Sequence, residues 1–103
     1  METIYGQEVD SSTVICSINR LQGQVFKLLP AFEEREDWIK PLETIIIELS
    51  GMSSLFPNQE KIFKLVCKLE GLLAAGNDIE FMLFRRQIFE ACSLLTEIKE
   101  KCL

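Results

Sequence analysis

Histidine is absent from the 103 residues of this chain, and that absence removes several kinds of chemistry at once. There is no Ser-His or Cys-His catalytic pair, no imidazole metal ligand, no Glu-x-x-His motif of the di-iron bundles and no histidine pH switch. Only five Gly and three Pro interrupt the sequence. The glycine patterns that cradle phosphates, G-x-x-x-x-G-K-[ST] and G-x-G-x-x-G, do not occur, and neither does the nucleophile elbow G-x-S-x-G. A single Trp and a single Tyr make no stacking platform for single-stranded nucleic acid. No apolar run approaches the ~18 residues of a membrane span, and none near the N-terminus resembles a signal peptide. The expectation is a soluble intracellular protein of the cytoplasm.

What is present is globular in kind. Apolar residues make up 48% and charged residues 26%, which suits one small domain over residues 1–103. Sixteen acids against eleven bases leave a net charge of −5. An acidic surface argues against a protein that coats nucleic acid, because such binding rests on cations that neutralise phosphates. The four cysteines, at 16, 67, 92 and 102, contain no C-x-x-C and have no second ligand type nearby, so neither a zinc site nor a redox motif is expected. Cys16, Cys67 and Cys92 fall within apolar helical patterns and are expected as buried, reduced thiols. Cys102 is expected to be reachable.

Four amphipathic helices follow from the spacing of apolar residues. Residues 1–10 lack a period and are expected to form an arm. Beyond Ser11 and Ser12, either able to cap a helix, Val14, Ile18, Leu21, Val25 and Leu28 recur at steps of 4, 3, 4 and 3, which places them on one face. Gly23 weakens this helix or permits a close crossing, and Pro30 ends or kinks it near Leu29. Trp38, Leu42, Ile45, Ile46 and Leu49 define a second helix. Asp37 is its N-cap, Pro41 lies in its first turn and Gly51 is its C-terminal stop. Three consecutive Ile favour a strand, but the flanking 3.6 period makes the segment a helix. Met52 to Pro57 is expected as a connector whose Leu55 and Phe56 tuck under the bundle.

A third helix is expected from about Asn58, with Ile62, Val66, Leu69 and Leu73 as its stripe and Phe63, Leu65 and Leu72 beside it, ending at Gly76. Asn77-Asp78-Ile79-Glu80 reads as a capping box. It opens a fourth helix carrying Phe81, Phe84, Ile88, Ala91, Leu95, Ile98 and Cys102. Short connections between amphipathic helices imply an all-α fold, a compact antiparallel bundle of about four helices.

Three constellations bear on function. The acidic patch Glu33, Glu34, Glu36 and Asp37 contains one E-x-x-E, but the second carboxylate pair that a Mg²⁺-dependent pyrophosphohydrolase needs is missing. A solvated helix entrance accounts for it, with Asp37 at the positive end of the helix dipole. The basic face of Lys61, Lys64 and Lys68, with Arg85 and Arg86, suits a phosphate or acid binder, or simply the solvated side of two helices. Residues 1–60 carry ten acids and four bases, whereas residues 61–103 carry six acids and seven bases. Such polarity can orient subunits in an assembly. Finally, the apolar supply exceeds what four stripes need. Ile45, Ile46 and Ile47 are apolar nearly all round the helix, and Phe81, Met82, Leu83 and Phe84 cover the full circumference of a turn, which is expected to leave apolar contact surfaces for a protein partner.

The chain thus reads as a non-enzymatic protein-interaction module that self-associates, a homodimer or part of a hetero-complex, in an accessory or regulatory role. It has no catalytic residue, cofactor or metal to nominate. One alternative is a small acidic inhibitor, of the phage or mobile-element type, that occludes a nucleic-acid-binding site on an enzyme through Glu33 to Asp37. Another is a nucleic-acid or phosphate binder using the face of Lys61, Lys64 and Lys68.

Overall fold

The computed structural model describes Gly6, residues 10–56 and residues 59–102. Its elements are α1 (Ser11–Phe26), α2 (Leu28–Glu33), α3 (Ile39–Leu55), α4 (Glu60–Ala75), a 3₁₀ turn (Gly76–Asp78) and α5 (Phe81–Cys102). No strand occurs among the described residues. Around the bundle, α1 neighbours α3, α3 neighbours α4, α4 neighbours α5, and α5 closes the ring against α1. The result is the expected all-α antiparallel bundle. Apart from Gly6 and Asp10, the N-terminal arm expected over residues 1–10 lies outside the described residues, as do Pro57 and Asn58.

Polar contacts across the seams show the directions of the helices. Gln22 Nε2 of α1 donates to the carbonyl of Cys92 and to Thr96 Oγ1 of α5, at 3.0 and 2.9 Å, and Lys99 Nζ reaches Asn19 Oδ1 at 3.2 Å. Residue numbers rise on α1 as they fall on α5, so the two are antiparallel. Arg20 pairs with Glu48 between α1 and α3. Lys61 and Lys68 of α4 meet Glu97 and Glu90 of α5, at 3.2 and 2.5 Å, in the same antiparallel sense.

The core follows the periodic stripes. Val14, Ile18, Leu21, Val25 and Leu28 are buried, as are Leu42, Ile45, Ile46 and Leu49, and as are Phe84, Ile88, Ala91, Leu95 and Ile98. Each large apolar side chain fully buried in this way contributes about 1.5–3 kcal/mol relative to exposure. On α4 the buried set is Ile62, Leu65, Val66, Leu69 and Leu72. The stripe is therefore rotated slightly from the expected one, and Leu73 is only half-buried while Phe63 faces outward.

Several expected boundaries are corrected. The N-cap of α1 is Asp10, whose Oδ1 accepts from Ser12 N at 3.1 Å, so Ser11 and Ser12 are the first helical residues. The helix is interrupted near Pro30, as expected, although the break falls at Lys27. The missing N–H breaks the ladder at Phe26, and the chain resumes as α2, which packs on α5. A Cβ on Gly23 would meet nothing within 4 Å, so no close crossing occurs there. Gly51 does not stop α3, which continues through Met52 to Leu55; the connector shrinks accordingly, with Phe56 buried as expected and Leu55 half-buried. The helix that follows begins at Glu60.

One end of the bundle is built on aromatics. Phe32 stacks on Phe84 at 4.3 Å between ring centroids, and Trp38 meets Phe84 edge-on at 4.9 Å. Trp38 Nε1 donates to Asn77 Oδ1 at 3.0 Å. That bond overturns the expected capping box. The Asn77 side chain satisfies the buried indole, the Gly76–Asp78 segment forms a 3₁₀ turn, and α5 starts at Phe81 instead. Gly76 does end α4, with φ 66°.

Candidate interaction surface

Each of the two apolar turns expected as contact surfaces divides on folding between buried and exposed residues. Ile45 and Ile46 are buried, because α3 has neighbours on two sides, α1 and α4, and the arc it hides is wide. Phe84 is fully buried in the aromatic cluster and Phe81 is half-buried, stacked on Phe32 at 5.9 Å. Ile45, Ile46 and Phe84 thus belong to the core, while Phe81 stays partly open. Three of the seven remain outside: Ile47 is 73% exposed, Met82 60% and Leu83 45%. Since α3 and α5 occupy opposite corners of the ring, Ile47 and the pair Met82–Leu83 do not share a face.

On α5 the exposed pair has a companion that the spacing of the main stripe conceals. Phe89 is 43% exposed and packs edge-on against the half-open Phe26 of α1, at 5.9 Å between centroids. Arg85 lies over the Phe89 ring at 5.1 Å, a cation–π contact worth about 0.5–1 kcal/mol at an exposed site. The signal for Phe89 was in the sequence. Met82, Arg86, Phe89 and Ser93 repeat at steps of 4, 3 and 4 on the side of α5 opposite Ile88 and Ala91. Such a second stripe is hidden when the stronger one is read first.

The basic face is largely engaged. Lys68 Nζ pairs with Glu90 at 2.5 Å and donates to Gln87 at 3.2 Å, Arg86 Nε reaches Glu90 at 3.2 Å, and Lys61 pairs with Glu97. Hydrogen bonds from Lys68 and then from Arg86 hold the Glu90 carboxyl below the usual carboxylate range. Lys64 has no ion pair among the described residues, and it lines a shallow α4–α5 groove with Arg86, Phe89 and Ser93. The expected cationic stripe is thus a seam of mixed charge.

The acidic residues Glu33, Glu34, Glu36 and Asp37 are all exposed. Asp37 caps α3, its Oδ1 accepting from Ile39 N at 3.0 Å and Lys40 N at 3.4 Å. This matches the role expected of it, although the cap position in backbone terms is Trp38. Among the described residues no three His, Cys, Asp or Glu side chains gather into a group able to hold a metal ion. No helix of the described residues is long and apolar enough to cross a membrane.

The cysteines need a correction. Among the described side chains Cys92 is buried, whereas Cys16 and Cys67 are exposed. Cys16 stands two residues beyond Val14, on the far side of α1 from its buried stripe. Burial pushes the Cys92 thiol up to about 11, whereas the side chain of Cys102 lies outside the described residues. No protein-family model, curated protein or solved structure matches this chain.

Proposed function

We propose that the chain is a non-enzymatic protein-interaction module that self-associates and serves an accessory or regulatory role in the cytoplasm. The observation that carries this reading is the outer band of α5, where Met82, Leu83 and Phe89 stay exposed beside Phe26 although the bundle has a complete core without them. Contiguous apolar surface left outside a finished core marks interaction sites, and Met and aromatic residues are favoured there. Arg85 and Arg86 border the band, and Arg is likewise favoured at interfaces. The free thiols Cys16, Cys67 and Cys92 suit a reducing compartment.

The phosphate-binding alternative draws less support, since Lys61, Lys68 and Arg86 already face Glu97 and Glu90. Nothing in the arrangement of Glu33, Glu34, Glu36 and Asp37 favours the inhibitor reading. The test is molar mass by light scattering over a concentration series. The expected result is a species of twice the 11.8 kDa chain mass. A single-chain mass at every concentration would remove self-association.

A further inference from the structure

We infer that two copies of this chain pair along α5, antiparallel, about a twofold axis near Phe89, with Arg85 and Arg86 of each copy beside Glu90 and Glu97 of the other. Such pairing rests on the self-association reading and specifies its surface and direction. Residues pointing away from the bundle on α5 form a continuous stripe of Met82, Arg86, Phe89, Ser93 and Glu97, all exposed. Their steps of 4, 3, 4 and 4 keep them on one side of a helix with 3.6 residues per turn. A single helix partner can cover such a stripe.

Charge along the stripe selects the occupant. Residues 81–89 carry two arginines and no acid, whereas residues 90–98 carry Glu90 and Glu97 and no base; Lys99, Glu100 and Lys101 follow in the last turn. The helix is therefore basic and apolar over 81–89 and acidic over 90–98, with mixed charge in its last turn. A parallel copy would set arginine on arginine. An antiparallel copy sets each basic half against the partner's acidic half, which is the self-complementarity that a twofold interface demands. With the axis near Phe89, the two Phe89 rings meet at the centre. Arg86 then lies opposite the small side chain of Ser93 and within one turn of both Glu90 and Glu97.

Both carboxylates retain capacity for a second cation. Glu97 uses only Oε2 for Lys61, and its side chain is about half open to solvent. Glu90 receives Lys68 and the Arg86 of its own chain at separate oxygens, and each carboxylate oxygen can accept more than one donor. Phe26 stands at the rim, braced on Phe89.

Two charge-reversed variants test the pairing. The double substitution Arg85→Glu with Arg86→Glu makes the stripe wholly acidic, and Glu90→Lys with Glu97→Lys makes it wholly basic. Each alone is expected to weaken the dimer at least about tenfold through like-charge contact, and an equimolar mixture is expected to recover a two-chain mass. Because Glu90→Lys and Glu97→Lys also take from Lys68 and Lys61 their partners within the chain, Ser93→Trp is measured as well. Ser93 is exposed, so this variant is expected to keep the fold by circular dichroism and to be a single chain. Ile47→Glu, on the opposite corner, should leave the dimer intact. A wild-type protein that stays single-chain would overturn both the pairing and the self-association it rests on. A wild-type dimer that survives Ser93→Trp, or that Ile47→Glu dissolves, would overturn the α5 pairing and leave self-association standing.

Discussion

At Arg35 the backbone enters the left-handed region, with φ 58°. Arg35 N donates to the Phe32 carbonyl at 3.2 Å and Glu36 N to the Ala31 carbonyl at 2.8 Å, the paired bonds of a Schellman motif that closes α2. Glycine is the usual occupant, because a Cβ there costs about 1–2 kcal/mol. Replacement by glycine also raises the entropy of the unfolded chain, which offsets about 0.4–1 kcal/mol of that gain. Arg35→Gly is therefore expected to stabilise the protein by about 0.5–1 kcal/mol, read as a higher urea midpoint. The thiols give a second expectation at this scale. At pH 8, alkylation followed by peptide mass spectrometry should modify Cys16 and Cys67 in the folded protein. Cys92, buried and with its pKa pushed up to about 11, should react only after denaturant is added. Equal rates at all three would contradict the placement of Cys92.

Two glycines separate the logic of elements from that of residues. Gly51 resembles a helix stop in the sequence, yet α3 runs through it for another turn, and a Cβ there would meet nothing within 4 Å. Gly51→Ala should stabilise the protein by about 0.5–1 kcal/mol, the helix-interior difference between the two residues. Were Gly51 a left-handed cap, the same change would destabilise. Gly76 is such a case, at φ 66° and ψ −158°, and Gly76→Ala should cost about 1–3 kcal/mol. Thermal melts of the two variants should move in opposite directions. Pro30 interrupts the helical ladder, which divides α1 from α2. Here α2 finds α5 and the chain stays helical.

For the molecule as a whole, ion pairs line the seams while the apolar stripes hold the helices together. Glu90 is the most connected carboxylate among the described residues, facing Lys68 across the α4–α5 seam and Arg86 on its own helix. Because its pKa is lowered on folding, its contribution to stability is present above the ordinary carboxylate value. That contribution is lost as pH falls through the lowered folded value. The stability gap between wild type and Glu90→Gln should therefore be open at pH 7 and close under acid, followed by denaturant titration at each pH. Solvent exposure of the pair keeps the gap small. A gap that widened in acid would reverse the assignment.

The stripes from Val14 to Leu28, Leu42 to Leu49 and Phe84 to Ile98 were legible in the chain alone, because 3.6-residue periodicity is a local property of the backbone; the stripe read as Ile62, Val66, Leu69 and Leu73 came out rotated toward Leu65 and Leu72. The Asp37 cap and the stop at Gly76 were legible too. Of the candidate site, Met82, Leu83 and Ile47 were legible as apolar residues beyond the needs of a stripe. Tertiary structure decided which of their neighbours joined them. Ile45 and Ile46 sank into the core because α3 touches two helices, and Phe84 did so because Phe32 and Trp38 enclose it. Asn77 left its expected cap to satisfy the Trp38 indole, a partner 39 residues away. Phe89 came to lie outside the core, braced by Phe26. Local spacing determines which residues share a helical face; only packing determines how much of that face is covered, because coverage depends on neighbours distant in the chain.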